Sequence, residues 1–576
     1  MGNIISKVLK KEEYLKFKII LLFNFLTFFL EFISLGSIPI FVGLIIDSST
    51  SLAKLESYGF FYFSSINNEN LIKYVGITII SIFIIKNIFY FSLIYIQGKF
   101  VKNLKLKLSK QLLNFYIMSP FSYHMQNNPA ELTRNSTDNV DFVSEYILQV
   151  INLFKESITI LVIFTLLLIV NPLITISITS IFSIFGFYYL KVIKPSIKRK
   201  AKQNENLKIN LIKIVNESFG AIKDIKLLNK EKNILGHYEK NRNKAENNYF
   251  YFDVFSKTPK LFLETIAIIA ITISTLIILN FNKDVFGLFS ILSLIVIATV
   301  RFIPAFNSII TSIFYLRIYR PYGETIVEEL ERIKKFKINS SVVNENKISI
   351  DKNTNFNENL IFLDDISFSY KDGQKDILKN ISLGIEKGTI LGITGETGSG
   401  KSTLFHIMLG LLPPKTGNVF HKGKNIHVEI KNWRNQIGYI AQNIYLLDST
   451  IEKNITFDFL DEKIDKERIN FAIKMASLDE KISELPMGLK TEVGNDGLRL
   501  SGGEKQRIAL ARAIYRNPNI YFMDESTSAL DSNTEQKIIN NMKENFSSKT
   551  IILIAHRKTT IDACDKIINL KNGNIN

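Results

Sequence analysis

The run Gly395-Glu396-Thr397-Gly398-Ser399-Gly400-Lys401-Ser402-Thr403 has the residue types and spacing to hold a chain of phosphates. Its glycines let backbone N–H groups close around phosphate oxygens, Lys401 can reach the β and γ phosphates, and the Ser402 hydroxyl can ligate Mg²⁺. The flanks agree. The apolar run Ile390-Leu391-Gly392-Ile393 predicts a strand before the loop, and a helix opening at Leu404 turns its positive end toward the anion.

A second apolar strand, Ile520-Tyr521-Phe522-Met523, ends in Asp524-Glu525. Two acids after a strand are usually just an exposed strand end. Downstream of a phosphate loop they gain a chemical meaning: the Asp holds Mg²⁺ and the adjacent Glu polarises the attacking water. Between the two lies Leu500-Ser501-Gly502-Gly503-Glu504-Lys505-Gln506-Arg507, opening an Ile508-Ala509-Leu510-Ala511 helix. By itself this is either a plain helix cap or a further anion-binding helix end.

The three motifs in this order form the signature of the ATP-binding-cassette family, and the chain resembles that family over essentially its whole length. The matching arrangement is the half-transporter, six spans followed by one nucleotide-binding domain. The resemblance implies ATP and Mg²⁺ as ligands and assigns further positions. Tyr370 matches the aromatic that stacks on adenine. Gln442 matches the glutamine that senses Mg²⁺, Thr491-Glu492-Val493-Gly494 the exporter-type segment before the signature, and Ser528-Ala529-Leu530-Asp531 the dimer-contact loop. His556 matches the histidine on the γ phosphate. The implied nucleotide contacts are Tyr370, residues 395–403, Gln442 and residues 501–504; the implied metal ligands are Ser402, Gln442 and Asp524; the implied catalytic pair is Glu525 and His556. Glu504 and Ala441 depart from the commoner pattern, where glutamine is usual at the first position. One chain carries one phosphate loop and one signature, and the family places the signature of one copy across the nucleotide of the other. The resemblance therefore implies a homodimer with two competent sites.

What must position these motifs is read from the rest of the chain. It has 576 residues, with 71 Lys plus Arg against 54 Asp plus Glu, a formal charge of +17, and a single cysteine. Lone Cys564 excludes an internal disulfide. The six histidines show no metal-ligand spacing. The expected division is a transmembrane domain at 1–320, a helical extension and connector at 321–359, and a nucleotide-binding domain at 360–576. The fold class is an α-helical membrane domain of six spans with long cytoplasmic extensions, plus a C-terminal α/β phosphate-loop ATPase domain of the cassette type.

Apolar runs near the ~20 residues needed to cross a bilayer fall at 19–46, 74–96, 145–170, 173–190, 261–280 and 286–313. The segments 97–141 and 191–260 hold six and seventeen Lys or Arg, against three in the alternate segments 47–73, 171–172 and 281–285 together. The basic segments are therefore cytoplasmic. The positive charge reflects topology and acidic headgroups, and no nucleic-acid module accompanies it, so no nucleic-acid partner is expected. Val101, Leu104, Leu108, Leu112 and Phe115 recur at helical spacing, which predicts that the second span continues as one helix to Met118. The excursion tips are expected near residues 123–127 and 220–227, placed to press on a soluble domain. The external stretch Ser51 to Ile66 carries Leu52, Leu55, Gly59, Tyr62 and Phe63 on one helical face, which suits a membrane interface.

Glu31, Lys86, Glu264 and Arg301 fall at or near membrane depth, where each costs ~2.5–3.5 kcal/mol on insertion scales unless it faces protein or water. Lys86 and Glu264 also fit a snorkelling position near a span end. Glu31 and Arg301 are expected to line a cavity and contact substrate, and Pro304 is expected to kink the sixth span. With Arg301-Phe302-Ile303-Pro304 and the outer segment, the chain resembles bacterial flippases of lipid-linked oligosaccharides and lipid A exporters. The implied activity is ATP-driven export of a lipid-linked or amphiphilic substrate across the bacterial inner membrane, with the ATPase on the cytoplasmic side. A multidrug or peptide exporter shares every ATPase motif; a channel or regulatory member is the third reading.

Overall fold

The computed structural model describes residues 2–46, 68–170, 172–281, 285–345, 359–370, 375–458, 464–494, 497–525, 531–555 and 557–575. The outer stretch 51–66 lies outside the described residues. The chain divides into two compact units, Met1–Ser119 with Gln126–Ser341, and Pro120–Met125 with Val342–Asn576.

In a bilayer every backbone N–H and C=O must be satisfied within the chain, so long apolar runs fold as helices. Among the described residues the first unit is helical: α1 (Gly2–Val8), α2 (Lys11–Ile46), α3 (Asn68–Met118) and, beyond the short α4 (Phe121–Gln126), α5 (Pro129–Ser136), α6 (Asp138–Val170), α7 (Pro172–Gly220), α8 (Ile222–Leu227), α9 (Glu231–Phe281) and α10 (Val285–Glu345). The six apolar runs lie on α2, α3, α6, α7, α9 and α10. Among the described residues four stretches are long and apolar enough to cross a membrane: Lys11–Ile46, Glu69–Met118, Pro129–Ile169 and Ala298–Phe336. On α7 the apolar helical stretch is shorter, Thr179–Ile193. α6 stops at Val170 and α7 starts on Pro172, a residue suited to a first helical turn because its missing N–H would be unpaired there anyway. Pro304 lies inside α10, which continues to Glu345.

At 1.5 Å per residue the 51 residues of α3 reach about 75 Å, well beyond the ~30 Å hydrocarbon layer. Val101, Leu104, Leu108, Leu112 and Phe115 are all buried, so the helical spacing of the sequence is the packed face of this extension. A capped turn begins the return: Asn128 accepts from the Ala130 N–H and Pro129 occupies the first position of α5.

The second unit has two sheets. A four-stranded antiparallel sheet has the order β2 (Leu378–Glu386), β1 (Asn359–Phe368), β4 (Thr416–His421), β5 (Lys424–Asn425). The six-stranded sheet runs β10 (Asn574–Ile575), β9 (Lys566–Lys571), β3 (Ile390–Thr394), β8 (Thr550–Ile554), β7 (Ile520–Asp524), β6 (Ile437–Ile440). Its inner strands are parallel and β10 alone is antiparallel. All five positions of β7 and of β8 are buried, which is why Ile520 to Met523 and Ile551 to Ile554 are apolar without alternation. Ile393, Leu404, Phe405, Phe522 and Ile552 form one core with the helix α11 (Lys401–Met408), and Trp433 anchors it by donating from Nε1 to the Met408 carbonyl at 3.0 Å.

Candidate functional site

Register in the parallel sheet brings the separated motifs together. Ile393 on β3 and Asp524 on β7 both pair with Ile554 on the intervening β8, and Ile440 at the end of β6 pairs with Met523. The C-terminal ends of four adjacent strands are therefore level. The phosphate loop follows β3, Asp524-Glu525 ends β7, and Gln442 lies two residues past β6. In open parallel sheets this carboxyl edge is where ligands bind.

The loop is shaped for a close approach of phosphate. Gly395 has φ +147° and a Cβ there would strike the Leu570 carbonyl; Gly400, at φ +104°, caps α11 in the left-handed region. Lys401 is buried and its ammonium donates to the carbonyls of Gly395 at 2.8 Å and Glu396 at 2.9 Å, folded across its own loop. The Ser399 hydroxyl is buried without a hydrogen-bond partner. A buried polar group left so costs ~1–3 kcal/mol, and a phosphate oxygen in the loop would satisfy it. Ser402 is exposed on the first turn of α11. These residues fit a nucleotide polyphosphate.

Asp524 is buried, and burial together with the neighbouring Glu525 raises its carboxyl above the usual range, with Lys401 acting in the opposite sense. An anion so placed suits a cation bound nearby. Glu525 stands in the left-handed region at φ +46°, a costly conformation for a residue with a Cβ, and accepts from Gln442 Nε2 at 2.7 Å. Tyr370 holds its hydroxyl 3.1 Å from Thr403 Oγ1 and packs edge-on against Phe368 at 5.2 Å, with the ring partly exposed beside the loop.

The signature run starts the helix α12 (Gly502–Tyr515) through a reciprocal capping box. Ser501 Oγ accepts from the Glu504 N–H at 3.2 Å, and Glu504 Oε2 accepts from the Ser501 N–H at 2.7 Å. Burial raises the Glu504 carboxyl, but the Ser501 bonds and Lys481 at 3.2 Å outweigh it and hold it below its ordinary value. Glu504 thus has a local reason to be Glu. His556 and residues 528–530 lie outside the described residues; Asp531 caps the helix α13 (Ser532–Asn545) by accepting from the Thr534 N–H at 3.0 Å.

In the first unit, Glu31 on α2 meets two cations. Arg301 Nε on α10 lies 3.0 Å from Glu31 Oε1, and Lys86 Nζ on α3 lies 3.5 Å from Oε2. Lys86 is buried, so the snorkelling position open to it in the sequence is not the one it takes. Glu264 is the opposite case: nearly half exposed and paired with Lys260 one turn away at 3.7 Å, it joins no interior cluster. The sequence reading also missed the partners. Asn24, Thr27, Glu31 and Ser34, spaced as one helix face, are all buried along α2. Opposite them on α3, Gln97 donates to Asn24 Oδ1 at 3.2 Å, the Tyr90 hydroxyl to Glu31 Oε2 at 3.3 Å, and Lys86 to Ser34 Oγ at 3.1 Å.

Residues 378–528 match the ABC transporter family model, and residues 20–300 match the ABC transporter transmembrane region. An ATP-dependent lipid A-core flippase of Cupriavidus pinatubonensis is 25% identical over 501 residues, 85% of this chain and 82% of that one. The leukotoxin translocation ATP-binding protein LktB of Mannheimia glucosida is 42% identical over 211 residues, which span 36% of this chain and only 30% of that protein. A solved bacterial Atm1-family ABC exporter with ATP bound superposes with a TM-score of 0.72 at 20% identity, covering 97% of this chain and 94% of that one.

Proposed function

We propose that this chain, which belongs to the ABC transporter family, pairs with a second copy in a bacterial inner membrane and moves a phosphate-bearing, lipid-linked amphiphile from the cytoplasmic to the outer side. A lipid-linked oligosaccharide is the favoured cargo. The chain is an ABC exporter whose ATPase is coupled to transport. The observation that carries the substrate reading is Arg301, whose side chain is 46% exposed although it is paired with a buried carboxylate inside an apolar helix bundle. A guanidinium presented there is suited to a phosphate or pyrophosphate headgroup. The aligned lipid A-core flippase supports a lipid-anchored cargo. The leukotoxin relative aligns over less than a third of its length and says nothing of cargo here.

In this reading Lys401 and the loop amides hold the β and γ phosphates, with Tyr370 against the adenine. Ser402, Asp524 and Gln442 would hold Mg²⁺, which when bound would supply positive charge against the phosphates. Glu525 takes the proton of the attacking water, and the resemblance assigns His556 to the γ phosphate. Residues 501–504 of the second copy complete the site, so nucleotide bridges two subunits only when their ATPase units close. Two features favour transmission to the spans. The Phe121 ring of α4 lies 5.4 Å from the ring of His406 on α11 within the second unit. Around α8, Phe219, Ile222, Leu227 and Leu228 stay exposed, as an apolar tip suited to a second copy.

The test is ATPase stimulation in lipid nanodiscs by a polyprenyl-diphosphate oligosaccharide, a phosphorylated acyl glycolipid and a cationic amphiphile. Stimulation by the first supports the favoured cargo, by the second a lipid A type cargo. Stimulation by the cationic amphiphile alone would replace this reading with a multidrug exporter. Arg301→Ala is expected to lower transport at least about tenfold more than ATPase, the loss of roughly one charge-assisted hydrogen bond; equal loss of both would count against the assignment.

A further inference from the structure

The cluster joining α2, α3 and α10 holds one carboxylate and two cations, Glu31 against Lys86 and Arg301, so by count it carries one positive charge in excess. Its two cations are not equivalent. The Lys86 side chain is 1% exposed. Its ammonium donates to Ser34 Oγ at 3.1 Å, faces Glu31 at 3.5 Å and sits 4.3 Å over the Phe83 ring. No face of that ammonium is left for a ligand. Arg301 touches the carboxylate through Nε at 3.0 Å and is nearly half exposed.

We propose that Glu31 sets the charge selectivity of the substrate site: by offsetting buried Lys86 and steering Arg301, it leaves one uncompensated positive charge that selects a phosphate-bearing headgroup and rejects cationic amphiphiles. This rests on the assignment of Arg301 to the headgroup and deepens it. Glu31 and Lys86 are positioning residues; neither touches the cargo. The physical basis is the burial of Glu31 and Lys86, whose charges water screens little, so that they act strongly on the half-exposed Arg301 beside them. With Glu31 gone, two cations face each other across the helices and the site carries two positive charges. With Lys86 gone, Glu31 and Arg301 cancel and nothing attracts an anion. Removing both returns the count to one. The Tyr90 bond to Glu31 Oε2 fixes the carboxylate between the helices, so its orientation does not depend on cargo.

The experiment compares wild type, E31Q, K86Q, K86R and the E31Q/K86Q double variant as full-length protein in phosphatidylcholine nanodiscs. The readout is the concentration of undecaprenyl diphosphate giving half-maximal ATPase stimulation, with undecaprenol as the uncharged control and melting midpoint as the fold control. K86Q is expected to raise the half-saturating concentration about tenfold or more, and K86R to leave it near wild type. E31Q should lower it while slowing maximal turnover, because a doubly positive site holds product. E31Q/K86Q should return to within about threefold of wild type, which two independent packing defects would not do. A double variant no better than K86Q, a half-saturating concentration raised by E31Q, or equal stimulation by undecaprenol overturns the proposal. Should K86Q fail to fold, E31Q against wild type decides it. A wild type that answers to no phosphate-bearing lipid would sink the substrate assignment as well; a responsive wild type whose variants ignore the charge count would sink this inference alone.

Discussion

Gln442 Nε2 donates to Glu525 Oε2 at 2.7 Å across 83 positions of sequence. The bond ties the loop after one edge strand to the acid at the end of its neighbour, a residue whose backbone stands in the left-handed region.

Glu525→Gln keeps the shape of that contact and removes the basic oxygen. ATP binding should persist while hydrolysis falls about 10²- to 10⁴-fold, the usual contribution of a positioned general base, and the pair of ATPase units should stay closed. Single-turnover ATPase with equilibrium nucleotide binding checks it. Gln442→Ala should cost less turnover than Glu525→Gln, since it loosens the acid without removing it. Near-normal hydrolysis by Glu525→Gln would refute the assigned role.

Phe121 packs edge-on to His406, five residues along the helix that begins with Lys401. Phe121→Ala is expected to reduce transport several-fold more than ATPase, and Phe121→Tyr to restore most of the loss. Parallel measurement in proteoliposomes decides it; matched losses would mean the contact is only packing.

Burial lowers the imidazoles of His406, His421 and His427 below their ordinary value, with Lys422 adding to it for His421 and Arg434 for His427. The unfolded chain takes up these protons first as pH falls through about 6.5, while the folded domain still excludes them. Stability is thus fully present above that pH and is lost as pH falls toward the depressed folded values. The melting midpoint should drop between about pH 7.5 and 5.5, and His427→Gln should flatten that slope. A slope unchanged in the variant would show that His427 does not contribute.

The nucleotide site was legible because its chemistry is local: the phosphate loop, the strand-end acids and the signature each sit on a contiguous run, and apolar flanks announce the strands that align them. The membrane cluster was only half legible. Glu31 and Arg301 stood out as charges in apolar runs, but Asn24, Thr27, Ser34, Tyr90 and Gln97 are uncharged residues that an apolar average absorbs. The spacing of Asn24, Thr27 and Ser34 lies along α2, yet only the partner helix shows that this face meets protein. Glu264 was open to two positions in the sequence, since membrane depth does not tell which way a helix faces. Glu504, read through the resemblance as a nucleotide contact, is spent at least in part on its own helix start.

The six residues Pro120–Met125 belong structurally to the ATPase unit, although more than two hundred residues of membrane helix separate them from its first strand. No single cut in the polypeptide therefore yields the ATPase unit whole. A fragment beginning in the connector would leave α11 without the aromatic cover Phe121 supplies, so the unit that burns nucleotide is finished only by a short piece of chain from between the membrane helices.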